Sequence, residues 1–227
     1  MNVFIQRSLF ILLTSHIFLL SGGVVAAEPK LIDDFTLGPN SGWVTKEFQG
    51  KNTYRPAIED NIPCLKAESN GTASGLVYMI EYDPSQYPIL IWKWKVDDII
   101  EMGDATSKAG DDYAARIYIV FPSFFFWNTK SLNYIWANRL PKGEAIPSTF
   151  TSNSMMVAVE SGRGNIGKWV EHRRNIYEDF EKYFGSPVPD VSAIAIMTDT
   201  DNTGGQASAC YGSIHIDSAE KSAAKGH

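Results

Sequence analysis

The chain has 227 residues, a formal net charge of −6 and 12% aromatic residues. That length is enough for one domain with a well-buried core. An acidic balance without a basic block argues against nucleic acid or an anionic membrane as partner.

Residues 1–27 read as an export signal. Arg7 gives the positive start, Leu9 to Leu20 the apolar stretch, and Val25, Ala26 and Ala27 the small residues before a cleavage point at Glu28. The apolar stretch is interrupted by Thr14, Ser15 and His16, and no later segment approaches the ~20 apolar residues of a membrane span. The expected location is the periplasm or the extracellular space, with no membrane insertion of the mature chain. The cysteines, Cys64 and Cys210, either pair there or remain two buried thiols, and pairing requires their strands to be neighbours.

From residue 28 to 217 the pattern is that of a single domain with period-two alternation bounded by Gly, Pro, Asn and Asp. Strands are expected at Leu31–Leu37, Leu65–Glu68, Gly75–Tyr82 and Ile89–Val96, where Trp92 and Trp94 share a face. A polar loop follows from Asp97 to Gly110. The next strand runs from Tyr113 to Phe121, with Asp112, Ala114, Arg116 and Tyr118 on one face. Residues 122–136 are dense in aromatics, 138–153 read as a loop, and 155–160 as a strand. Between Val170 and Phe184 apolar residues take helical spacing, which predicts one helix near residues 172–184, stopped by Gly185. Val191–Met197 and Tyr211–Ile216 are the last strands, and residues 218–227 form a polar tail. Many short strands with one helix predict a mainly β protein, an antiparallel two-sheet β-sandwich of jelly-roll type.

Chemistry concentrates where the strand Val191–Met197 gives way to Asp199, Asp201, Asn202 and Thr203. The DTDNT string matches the nucleophile motif of haloacid-dehalogenase-like phosphatases, but only a short chain follows it, too little for that α/β domain. It also opens like a calcium loop, yet Cys210 stands where an EF-hand needs its Glu. If the two strands face one cleft, Arg116 meets Asp199 or Asp201, and with Asp112 they form a candidate binding site for sugar hydroxyls or a polar small ligand. Trp127 is the foremost exposed ring for stacking on a sugar. His172 is a weak candidate general base.

The order of an early Asp-Asp-Phe strand, a Tyr-Pro before Trp-x-Trp, and a final strand returning near the start resembles galactose-binding-like carbohydrate modules. That resemblance implies a structural calcium near the terminal strands, with Asp33, Asp34 and Asp217 as candidate ligands. The blocks DDYAAR, RNIYEDF and TDTDNTG, with YPILIWKWKV and YIWAN, resemble a bacterial exported family known as domain of unknown function 3047. It implies a bacterial exported protein and no established activity. The expected function is noncatalytic binding of a glycan or another polar small ligand. The alternatives are a polysaccharide-acting enzyme of the envelope, working through two carboxylates, and a structural envelope protein without a small ligand.

Overall fold

The computed structural model describes residues 28–218. The export signal and the tail beyond Ser218 lie outside the described residues. In chain order the elements are β1 (Lys30–Asp33), β2 (Trp43–Gln49), β3 (Thr53–Glu59), β4 (Ile62–Asn70), β5 (Ala73–Tyr82), β6 (Ile89–Val96), β7 (Arg116–Phe121), β8 (Lys130–Ala137), β9 (Ala145–Pro147), β10 (Ser154–Ser161), β11 (Val170–Asn175), the helix α1 (Ile176–Phe184), β12 (Val191–Asp199) and β13 (Gln206–Asp217). One sheet runs β11-β6-β13-β4-β3, with β1 also paired to β13; the other runs β2-β5-β12-β7-β8-β10-β9. The two sheets form the expected sandwich. No helix among the described residues is long and apolar enough to cross a membrane.

Alternation explains the core. Trp92 and Trp94 of β6 point inward against Tyr134 and Trp136 of β8, with the Trp92–Tyr134 rings stacked 5.3 Å apart and Trp94–Trp136 at 6.3 Å. Ile117, Ile119 and Phe121 of β7 and Ile194 and Ile196 of β12 fill the same layer. A second, smaller apolar cluster lies on the other side of the seven-stranded sheet, where Tyr113, Ala105 and Leu140 cover Ile135, Ala137, Met156 and Ala158. It caps one end of that outer face and leaves the rest open.

Three expectations are corrected. The sandwich is not wholly antiparallel: β8 and β10 pair in parallel, because the crossover of residues 138–153 returns the chain in the direction it left. The helix starts at Ile176, not near residue 172; Val170–Asn175 is an edge strand on β6, and Asn175 caps the helix by accepting the Glu178 N–H at 3.1 Å. The strand expected from Tyr113 begins only at Arg116, so Ala114 packs in the core while Arg116 and Tyr118 face out.

Two cross-links fix the frame. Asp179 of α1 accepts from the Tyr134 hydroxyl at 2.7 Å and pairs with Arg174, which ties the helix to β8 and β11. Cys64 of β4 and Cys210 of β13 are joined by a disulfide, their Cα atoms 5.6 Å apart across adjacent strands. With a sequence separation of 146, the chain-entropy contribution is about 5 kcal/mol. Replacing both cysteines with alanine is expected to lower the unfolding free energy by at least half that amount in urea titrations; an unchanged midpoint would show that the unfolded chain gains no freedom from the loss.

Candidate functional site

The open part of the seven-stranded sheet is a cleft of about 670 Å³. It crosses six strands from β2 to β10, a span of about 24 Å at ~4.8 Å per strand. Its floor is built by period two: Val77 and Gly75 from β5, Ala195 and Met197 from β12, Arg116 and Tyr118 from β7, Asn133 from β8 and Met156 from β10. Gly75 has to be glycine, since a Cβ there would sit 2.9 Å from the Ile196 carbonyl oxygen. The exposed rings of Phe48 and Phe150 and the side chain of Lys46 stand around the cleft.

Charge enters at one end. Arg116 and Asp199 are buried, 6% and 1% exposed, and form an ion pair across β7 and β12. Asp111 lies 3.8 Å from the same guanidinium. Burial pushes the Asp199 carboxyl up to about 8 against the pull of Arg116, and Asp112 and Asp111 add repulsion. Burial likewise raises Asp111, with Arg116 opposing, and raises Asp201, with Asp112 adding to the effect.

Asp112 does not share the cleft face with Arg116. It reaches to the turn after β12, accepting the Asn202 N–H at 3.2 Å and the Thr203 N–H at 2.7 Å. Asn138 holds Asp112 there: its amide donates to the Asp112 carbonyl at 2.7 Å and accepts the Ile100 N–H at 2.8 Å, pinning both ends of the long 97–115 loop. The side chain of Thr200 anchors the turn between β4 and β5, where it accepts the Gly71 N–H at 2.8 Å. Asp199, Asp201 and Asp112 bring one oxygen each within 4.8 Å of one another. Of the three, Asp112 accepts from Asn202 and Thr203, and Asp199 pairs with Arg116 and accepts the Tyr113 N–H.

Two residues that line the cleft each keep a buried polar atom with no protein partner: the donor Arg116 Nε and the acceptor Asn133 Oδ1. They stand on adjacent strands, where Tyr118 is opposite Asn133. Sequence reasoning found Arg116 and missed Asn133, Phe48 and Phe150. Asn133 is simply the polar position in the alternating run of β8, and the two Phe residues are isolated rings in polar surroundings.

The other expected site residues lie elsewhere. Trp127 is exposed on the β7–β8 connection and does not line the cleft. His172 sits on β11 between Trp92 and Trp94, accepting the Trp94 indole N–H at 3.1 Å, and contributes nothing to the cleft. Asp33, Asp34 and Asp217 do not form a group. Asp33 accepts from Phe35 N, Asn40 N and the Trp43 indole; Asp34 accepts from Thr36 N; Asp217 accepts from Ser218 N and faces Arg173 at 3.7 Å. These are turn and anchoring duties.

Residues 41–215 match the family model described as Protein of unknown function (DUF3047). The chain belongs to that family. Among solved structures, it is similar to a family 11 carbohydrate-binding module from Clostridium thermocellum in complex with a β-1,3-1,4-mixed-linked tetrasaccharide, at 12% identity and a TM-score of 0.45, covering 83% of this chain and 94% of that one. A family 30 carbohydrate-binding module of a Clostridium thermocellum cellulosomal cellulase matches at 8% identity and a TM-score of 0.48, covering 86% and 99%. A thermostable cellulase derived from that of Rhodothermus marinus matches at 9% identity and a TM-score of 0.45, covering 83% and 95%. Comparison with curated proteins gave no match.

His172 supplies a pH test of this layout. Burial holds its imidazole down at about 4, from an ordinary 6.5. Between those values the unfolded chain binds a proton that the folded chain refuses, so stability is complete above pH 6.5 and falls as pH drops towards 4. At pH 5 the loss is at most ~2 kcal/mol. A His172→Gln variant, which keeps an acceptor for Trp94, is expected to lose less stability than the parent between pH 7 and pH 5 in urea unfolding. Equal losses would mean that the ring titrates normally.

Proposed function

We propose that this protein is an exported binding module that holds a glycan in the cleft of its seven-stranded sheet. The observation that carries this reading is that Arg116 and Asn133 of the cleft floor each keep a buried polar atom, Nε and Oδ1, with no protein partner. A buried donor and a buried acceptor left unpaired cost about 1–3 kcal/mol each, and a sugar hydroxyl, which both donates and accepts, satisfies both types. Phe48 and Phe150 supply flat apolar faces at the rim, which suit the C–H faces of pyranose rings. The length of the cleft favours an extended oligosaccharide over a single sugar.

The carboxylates fit binding better than hydrolysis. The oxygens of Asp112 and Asp199 are spent on backbone donors and on Arg116, which leaves them poorly placed to hand protons to a leaving group. The Cys64–Cys210 disulfide suits an oxidising compartment and supports a periplasmic or extracellular location.

The test is calorimetric titration of a panel of soluble linear oligosaccharides, with product analysis after long incubation. At least one member is expected to bind without being cleaved, and Asn133→Ala and Phe150→Ala are each expected to weaken it about 10-fold, or ~1.4 kcal/mol. Affinity unchanged in both variants would place the ligand outside the cleft. New reducing ends that disappear in Asp201→Asn would make the protein an enzyme.

A further inference from the structure

The β7–β8 connection carries four consecutive aromatic residues that the cleft does not use. Phe124, Phe125, Phe126 and Trp127 are 95%, 50%, 80% and 60% exposed. A disordered loop would not hold them together, but this one is built. Residues 126–128 form a 3-10 turn, the Asn128 N–H donates to the Phe125 carbonyl at 2.8 Å, and Asn153 from the neighbouring loop donates to the Trp127 carbonyl at 2.7 Å. The rings touch in series: Phe124 on Phe125 at 5.0 Å, Phe125 on Trp127 at 5.0 Å, and Phe126 on Trp127 at 5.1 Å. Pro122 and Ser123 precede the tip and Asn128 and Thr129 follow it, so no charge lies between Phe121 and Lys130. Pro187 and Pro189 stand close by, around the same small hollow as Pro122 and Asn128.

The geometry points to a lipid bilayer as the occupant of this tip: we infer that it inserts shallowly into the interface of a zwitterionic membrane. Phe125 and Trp127 lie near parallel at 20° but stack on one another, while Phe124 crosses Phe125 at 86° and Phe126 crosses Trp127 at 76°, so the rings do not present the one flat platform that a glycan surface needs. Such a cluster is a wedge, and a wedge fits between acyl chains. Phe supplies apolar area, and Trp, with its N–H, takes the headgroup level. The net charge of −6 and the uncharged tip favour a contact that depends on buried apolar area rather than on anionic lipid. Shallow insertion of this kind needs no membrane-spanning helix, and none is present among the described residues; it concerns a surface separate from the cleft.

The experiment is co-sedimentation of the full chain with pure phosphatidylcholine vesicles. Binding is expected to survive high salt and to fall at least 10-fold in Phe124→Ser/Phe126→Ser/Trp127→Ser, with the circular dichroism spectrum and melting temperature kept. The fluorescence difference between the parent and Trp127→Phe is expected to shift blue when vesicles are added. Should the triple variant fail to fold, Phe124→Ser alone gives the same reading, because that ring is almost fully exposed. No sedimentation, or sedimentation unchanged in the variants, overturns the inference. So does light scattering that shows the wild type self-associating through these residues, or retention on insoluble glycan that depends on Trp127.

Discussion

At the last register pair between β7 and β12, Met197 lies opposite Arg116, and a side chain from the other sheet joins their backbones. The hydroxyl of Tyr211, on β13, donates to the Met197 carbonyl at 2.6 Å and lies 3.2 Å from the Arg116 N–H, which donates to it. Thr198 adds a third contact at 3.1 Å. Backbone groups this deep must be satisfied inside the protein, because leaving one unpaired costs about 1–3 kcal/mol. Tyr211 thus fixes the spacing of the two sheets at the point where the charged end of the cleft begins. The Arg116 side chain leaves from that junction on the outer side, and Asp199, two residues beyond Met197, meets it there.

The buried charge follows from that placement. A guanidinium and a carboxylate in a low-dielectric layer stabilise one another only when geometry and hydrogen bonds offset their desolvation. Asp199 has both through Arg116 and the Tyr113 N–H, while Arg116 keeps one N–H without a protein acceptor. The pair therefore holds β7 and β12 together at the end of the cleft and leaves one guanidinium N–H without a protein acceptor.

The inward faces of β6, β7 and β12 were legible in the sequence because strict alternation of large apolar residues leaves few alternatives. What escaped lies mostly at the edges, apart from the central β8, which was hidden in the aromatic-dense stretch. The strands that end the main path of each sheet are β11, β3, β2 and β9, and none of the four was read as a strand. Edge strands carry charge and polar residues on much of their length, as in VEHRRN of β11 and WVTKEFQ of β2, so the period-two signal fades. Strand β11 also abuts a true helix, and its Val170 extended the helical spacing backwards. Within the site, Arg116 with Asp199 was readable from two strands that each placed charge among small residues. Asp112 was misplaced because the chain bends before Arg116, and no local pattern announces that bend.

The floor of the cleft is uneven in a way that bears on what it can recognise. On the β5 and β12 side it is lined by Ala73, Gly75 and Ala195; on the β7 to β10 side by Tyr118, Asn133 and Met156, with Phe150 above. The first half carries small side chains there, and the second carries larger ones. A linear molecule with chemically different ends, laid across such a step, has one favourable heading and one unfavourable. For the glycan proposed above, the step would make one chain direction fit better than the other, and Gly75, where a Cβ would meet the Ile196 carbonyl, keeps the low side low.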